Sequence, residues 1–340
     1  MKVLITGGAG FVGSNYVHHT LKSHSSWYII NLDKLTYAGN LGNISDLEEH
    51  QRHTFVQGDI ADATLMEQLF SQEKFELVVN FAAETHVDRS IIDPAPFMRT
   101  NALGTQTLLE ASRRHGVKKF LHLSTPEVYG GIQPGQEFFT EESPFAATNP
   151  YSASKTAADI MCLAYHHTYG LDISFTRFAN AYGPNQYPEK LVPLATTHAL
   201  QDKPIPLYGQ GQYRRNWIHV DEICRALDII IEKGRSGAAY NIGSGYEMSN
   251  LEIVRRILAI LGKPPDLITF VPDRPGHDWQ YPLDSTRIKT ELGWELTVNF
   301  EEALEKTVNW YTANRPWWQN LEVLDYREQY RQIAESRGNR

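Results

Sequence analysis

Cysteine is nearly absent: Cys162 and Cys224 are the two in 340 residues. Both fall in helix-like segments among apolar neighbours, which excludes a disulfide framework and reads as buried thiols in a reducing compartment. No apolar run is long enough to span a bilayer, which excludes a transmembrane helix. Positive charge is short as well. Lys and Arg number 32 against 40 Asp and Glu, for a net charge of −8, and this argues against a surface that takes nucleic acid. The 13 histidines show no H-E-x-x-H spacing and C-x-x-C is absent, so no metal site is expected. There is no internal repeat and no low-complexity segment. The first apolar stretch reads as a core strand and not as a signal peptide, so a cytoplasmic protein is expected.

What is present starts at the N-terminus. Lys2 to Thr6 reads as a short buried strand. It runs into Gly7-Gly-Ala-Gly10-Phe-Val-Gly13, and a helical pattern follows from Ser14 to Leu21. A turn without Cβ atoms lets the backbone approach a pyrophosphate at a helix N-terminus, where N–H groups and the helix dipole favour anions. The glycines alone also fit a turn in an unrelated α/β protein. The context is more specific: a strand before, a helix after, and a second strand, Tyr28 to Asp33, ending in an acidic residue about 20 positions on. Asp33 can bond the adenosine ribose hydroxyls and repel a 2′-phosphate, which points to NAD over NADP.

The chain continues with a strand at 54–60, a helix near 63–72, a strand at 77–83 that is apolar on both faces, a helix at about 97–115 and a strand at 120–125. Such alternation predicts an α/β fold, a Rossmann-type doubly wound parallel sheet. The 41% apolar content suffices for one large or two modest domains. The dinucleotide part is expected over 1–177, with 220–234 packing back onto the sheet. A smaller α/β substrate part is expected over 178–219 and 235–320, with helices near 251–261 and 300–314 and a charged tail at 321–340.

Two constellations carry chemistry. Thr125-Pro-Glu-Val-Tyr-Gly130 follows a strand end, where residues face the ligand crevice. Thr125 offers a hydroxyl to orient substrate and Glu127 a carboxylate to take a proton, although Glu127 alone also fits a solvated loop residue. Tyr151-Ser-Ala-Ser-Lys155 opens a helical run to Gly170. Positions i and i+4 share a face, so the Lys155 ammonium is expected to favour the Tyr151 phenolate as a general base for a sugar or alcohol hydroxyl.

These stretches resemble the extended short-chain dehydrogenase/reductases and, within them, the dTDP-glucose 4,6-dehydratase family. The resemblance rests on Thr6 to Gly13, Asp33 to Asn40, Ala82-Ala-Glu-Thr-His-Val-Asp-Arg-Ser90, Thr125 to Gly130, Tyr151 to Lys155, Tyr182-Gly-Pro-Asn-Gln-Tyr-Pro-Glu-Lys-Leu191 and Asp273-Arg-Pro-Gly-His-Asp278. It spans about residues 1 to 315. It implies bound NAD, contacted by Gly7, Gly10, Phe11, Val12, Gly13, Asp33, Lys34, Asp59, Ile60, Ala82, Ala83, Tyr151 and Lys155. It also implies a nucleotide-diphosphate sugar held by His86, Thr125, Asn180, Glu189, Lys190, Leu191, Pro206, Tyr208, Arg215, Asn250, Arg274, His277 and Tyr281. Arg215 and Arg274 correspond to phosphate-binding arginines, whose planar forks suit bidentate contacts.

The implied reaction is oxidation, elimination and reduction. Tyr151 takes the 4-hydroxyl proton while hydride passes from C4 to NAD. Glu127 removes the C5 proton, water leaves from C6, and hydride returns to C6. The resemblance also implies a homodimer, in which the helices at 97–115 and from Tyr151 pack into a four-helix bundle, although both could instead pack within one chain. One position departs from the family, which has Thr-Asp-Glu with the Asp as acid for the departing hydroxyl. Pro126 has no titratable group. Glu127 could return its proton to O6 in a syn elimination, His86 or a water could serve, or elimination could be lost. The last case defines the alternative function, a nucleotide-sugar epimerase or C5-exchanging 4-keto enzyme. A non-catalytic NAD-binding scaffold is a third reading, against which Tyr151, Lys155, Thr125 and Glu127 all stand.

Overall fold

Alternate residues of the first strand, β1 (Lys2–Thr6), feed two different cores. Val3 and Ile5 join one apolar cluster and Leu4 the other, because successive side chains of a strand point to opposite faces. A strand apolar on both faces requires helices on both. The computed structural model describes residues 1–132, 135, 137–273 and 277–321.

After β1 come α1 (Phe11–Ser23), β2 (Tyr28–Asp33), β3 (His53–Gln57), α2 (Ala63–Glu73) and β4 (Leu77–Asn80). Then α3 (Val87–Ile92) precedes α4 (Ala95–Phe97), which passes through a wider helical turn at Met98–Gly104 into α5 (Thr105–Arg114). β5 (Lys119–Ser124), α6 (Pro150–Tyr169), β6 (Ile173–Phe178) and β7 (Asn180–Tyr182) follow. The rest comprises α7 (Leu191–Leu200), β8 (Ile205–Tyr208), β9 (Arg214–His219), α8 (Val220–Lys233), β10 (Ala239–Ile242), β11 (Glu247–Ser249), α9 (Asn250–Leu261), β12 (Ile268–Val271), α10 (Thr286–Leu292), α11 (Phe300–Ala313) and α12 (Arg315–Gln319).

Seven parallel strands form the main sheet in the order β10-β6-β5-β4-β1-β2-β3. The order reverses direction at β1 and β4, so a crevice opens beyond their carboxyl ends, where ligands of doubly wound sheets bind. Helices α1 and α8 pack together on one face, over a cluster that includes Tyr16, Val17, Ile223 and Leu227. α2, α5 and α6 pack on the other, over Met66, Phe70, Leu108 and Cys162. A third cluster, with Val192, Leu207, Ile257, Leu304 and Val308, holds α7, α9 and α11 with β8.

Several sequence expectations shift. The boundary drawn at residue 235 is misplaced, because β10 pairs with β6 in the main sheet and α10 packs against it. A short apolar run, Ala-Tyr-Asn-Ile, carries no mark of which sheet it will join. Strand 77–83 stops at Asn80, and Phe81 and Ala82 beyond it line the crevice. The segment 84–90 includes the start of a helix of its own, α3. The tail beyond 321 lies outside the described residues, as does Arg274.

Candidate active site

The glycine turn is built for close backbone approach. Gly7 has φ +71°, and a Cβ at Gly13 would lie 2.1 Å from the Gly7 carbonyl oxygen. Gly10 caps α1 and offers no side chain to its first amides, and Gly10, Phe11, Val12 and Gly13 line the crevice, the place where a helix N-terminus can take an anion. Asp33, the last residue of β2, accepts from the Ala9 amide at 2.9 Å and the Leu35 amide at 2.8 Å. Burial raises its carboxyl above the usual range. Lys34 reaches across to Asp59 at 2.9 Å.

The second constellation sits where β5 ends and α6 begins. Asn149 caps α6 in a reciprocal box with Ser152, Pro150 occupies the first turn, and Gly170 ends the helix in the left-handed region. Each suits its position. Tyr151 is thereby fixed in the first turn. Its amide donates to Ser90 Oγ at 3.1 Å and its ring stands edge-on to Phe97. Thr125 Oγ1 accepts from the Glu127 amide at 3.3 Å, and Asn149 Nδ2 donates to Glu127 Oε2 at 3.5 Å. Pro126 is buried and lines the same crevice.

The electrostatics correct one expectation. The Tyr151 phenol lies well above its ordinary value. Burial is the main cause, the Glu127 carboxylate adds to it, and hydrogen bonding to Thr125 opposes it. Lys155 is not among the main influences on the phenol, and its ammonium donates to the Leu123 carbonyl at 2.6 Å. Burial lowers that ammonium to about 8, with Asp159 one helical turn away pulling it up.

One crevice of about 350 Å³ joins the two constellations. It is lined by Gly7, Gly10, Phe11, Val12, Gly13, Asp33, Lys34, Asp59, Ile60, Ala82, Ala83, Thr125, Glu127, Tyr151, Lys155, Asn180, Glu189, Lys190, Leu191 and Tyr281. The glycine cradle, the acidic end of β2 and the Tyr/Lys pair together fit a dinucleotide.

Other residues singled out in the sequence stand outside this lining. His86 caps α3 and lies 3.5 Å from Glu189. Tyr208 donates to Asp88 at 3.0 Å. Arg215 lies over the Tyr281 ring, 4.5 Å from its centroid, and donates to the carbonyls of Arg214, Trp279 and Asp278. His277 approaches Arg215 Nη2 at 3.2 Å and stacks on Tyr213. Pro206 pairs with Thr269 in the β8–β12 ladder. Asn250 opens α9, with its amide on the Tyr213 carbonyl. Tyr281 therefore touches both the crevice and this Arg215 cluster.

Sequence reasoning missed Tyr37, Tyr187, Trp217 and Asn149. Tyr37 donates to Glu189 at 2.9 Å, and burial raises the Glu189 carboxyl above its usual range. Tyr37 and Tyr187 fall inside segments already marked as motifs, and their edge-to-face contact joins those segments. Among the described residues, no cluster of three or more His, Cys, Asp or Glu is placed to hold a metal, and no helix is long and apolar enough to cross a membrane.

The strand order, the glycine turn and the Tyr151/Lys155 pair define a Rossmann-type enzyme of the extended short-chain dehydrogenase/reductase class. A family model described as GDP-mannose 4,6 dehydratase matches residues 4–307. A dTDP-glucose 4,6-dehydratase from Streptomyces niveus is 48% identical over 329 residues, 96% of this chain and 97% of the relative. The crystal structure of the dTDP-glucose 4,6-dehydratase DesIV from Streptomyces venezuelae, with NAD bound, has a TM-score of 0.91 at 44% identity, covering 95% of this chain and 100% of that one. A UDP-glucose 4-epimerase from Thermotoga maritima is more distant, with TM-score 0.85 and 32% identity over 93% of this chain and 100% of the other. The chain belongs to the dTDP-glucose 4,6-dehydratase family.

Proposed function

We propose that this protein is an NAD-dependent hydro-lyase that converts dTDP-glucose to dTDP-4-keto-6-deoxyglucose. The observation that carries the reading is the single crevice bounded at one end by the glycine turn and Asp33 and at the other by Thr125, Glu127 and Tyr151. A plain 4-epimerase has no use for a carboxylate at the position of Glu127.

Gly7, Gly10, Phe11, Val12 and Gly13 hold the dinucleotide pyrophosphate on backbone amides. Asp33 and Lys34 take the adenosine ribose, and Asp59 and Ile60 the adenine. Ala82 and Ala83 pack along the cofactor, and Lys155 holds the ribose near the reacting centre. NAD, when bound, supplies the hydride acceptor. Tyr151 takes the proton of the sugar 4-hydroxyl and Thr125 holds O4 by hydrogen bond. Glu127 takes the proton from C5 once C4 is a ketone. Asn180 donates to the substrate pyrophosphate, and Glu189, Lys190 and Leu191 fold over the nucleotide. Pro206, Tyr208, Asn250 and His277 surround the base, and Arg215, Arg274 and Tyr281 hold the diphosphate.

Pro126 favours a second reading, a C5-exchanging 4-keto enzyme that keeps the 6-hydroxyl. NMR of the product from dTDP-glucose in D₂O separates the two. A 4-keto-6-deoxy sugar with deuterium at C5 is expected. Deuterium at C5 with the 6-hydroxyl retained overturns the dehydratase reading.

A homodimer through a four-helix bundle completes the proposal. Met98 and Leu103 beside α5, and Ile160 and Tyr169 on α6, are each about half exposed, and large apolar side chains on packed neighbouring helices support an interface there. Sedimentation of the wild type and of Ile160→Glu tests it, the variant being expected to run as a monomer. Two buried thiols, Cys162 and Cys224, are in keeping with the cytoplasm.

A further inference from the structure

The peptide of Ala9, inside the glycine turn, is gripped on both sides. Its N–H donates to Asp33, and its carbonyl accepts from the Asn40 amide at 3.0 Å and from Asn43 Nδ2 at 2.8 Å. Asn43 is 3% exposed. Its own amide donates to the Asn40 carbonyl at 2.9 Å, and its carbonyl meets His18 Nε2 at 3.0 Å. The remaining side-chain atom, Oδ1, accepts from the indole Nε1 of Trp317 at 2.8 Å.

This last contact decides which way the Asn43 amide faces. An indole N–H can only donate and a peptide carbonyl can only accept. Turning the amide over would set donor against donor at Trp317 and acceptor against acceptor at Ala9. Trp317 is itself held in place, edge-on to Trp310 and Tyr311. Tyr311 is fully buried and its hydroxyl donates to the Gly183 and Gln186 carbonyls. The matched family model ends at residue 307, so Trp317 lies beyond it.

We propose that Trp317 is a positioning residue of the dinucleotide site, acting through the Asn43 amide on the Ala9 carbonyl to hold the glycine turn in its binding shape. The proposal rests on the reading that this turn binds NAD.

The test is calorimetric titration of the full chain, wild type and variants, with NAD and separately with dTDP. Trp317→Phe keeps an aromatic ring and removes the donor. It is expected to weaken NAD about threefold to tenfold, the range of one neutral hydrogen bond, and to leave dTDP binding unchanged. Asn43→Ala is expected to weaken NAD at least as much. The double variant should bind NAD as Asn43→Ala does, within about a factor of two, because Trp317 then has nothing left to orient. Equal NAD affinity in wild type and Trp317→Phe overturns the proposal. So does a full Trp317→Phe effect in the Asn43→Ala background, or a parallel loss of dTDP binding, which would mark general loosening. A wild type that binds dTDP but not NAD overturns the cofactor reading itself, and the proposal with it.

Discussion

Lys155 Nζ donates to the Leu123 carbonyl at 2.6 Å, so the ammonium of the catalytic pair is bonded to the end of β5 while its neighbour Tyr151 faces Glu127 and Thr125. Burial brings that ammonium to about 8. The protonated form carries the charge that, on the proposed reading, holds the cofactor ribose. Activity should therefore decline as pH rises through about 8, the direction in which Lys155 loses its proton. The pH profile of kcat/KM reports this limb. A flat profile through that range would remove Lys155 from it.

On the proposed reading Tyr151 and Glu127 serve different protons, so their variants should fail at different steps. Tyr151→Phe is expected to cut kcat by about 10²–10⁴, the worth of a positioned acid–base group, with dTDP affinity unchanged. Glu127→Gln should abolish deuterium uptake at C5. In that variant, C4 oxidation in a single turnover, read as reduced-cofactor absorbance, should persist. Loss of both signals in Glu127→Gln would place the carboxylate in the first step as well.

The parts legible in the sequence are those with local causes. Apolar runs ending at Thr6 and Asp33 marked the strands, and glycines at positions where a Cβ would strike backbone marked the turn. Gly170 marked the end of α6. What could not be read depends on distant partners. Nothing near Tyr37 indicates Glu189, and nothing near Asn43 indicates Trp317. Helical spacing gives Tyr151 and Lys155 a shared face but not the burial of both, nor the Leu123 carbonyl that takes a hydrogen bond from the ammonium. The Arg215 guanidinium likewise meets the Asp278 and Trp279 carbonyls, which are distant in sequence.

Asp159, fully buried, receives two hydrogen bonds from the Arg177 guanidinium, at 3.1 and 2.8 Å. Arg177 also donates to the Tyr129 hydroxyl at 2.6 Å, and Tyr129 donates to Asn241, tying α6 and β6 to β10. Removing one partner leaves the other charge buried. Asp159→Ala is therefore expected to cost about 3–5 kcal/mol, measured by urea unfolding. A cost below about 1 kcal/mol, the worth of an exposed pair, would mean that water reaches Arg177.

Pro126 begins a short helical turn whose first backbone N–H has no partner to lose, so proline suits the position and aspartate can replace it with little local strain. Pro126→Asp puts a titratable group in the crevice beside Glu127 and Thr125. If elimination limits turnover because the departing hydroxyl lacks a dedicated acid, the variant should raise kcat on dTDP-glucose by about tenfold or more, short of the roughly 10²–10⁴ of a fully positioned acid because no neighbouring group is built to orient the new carboxyl. Deuterium uptake at C5 should be unchanged, since Glu127 still takes that proton. Steady-state rates of 4-keto-6-deoxy product for the two proteins decide it. An unchanged kcat with normal C5 exchange would show that the native chain already delivers a proton to O6, and Glu127, which holds the C5 proton at that moment, is the group in place to do so.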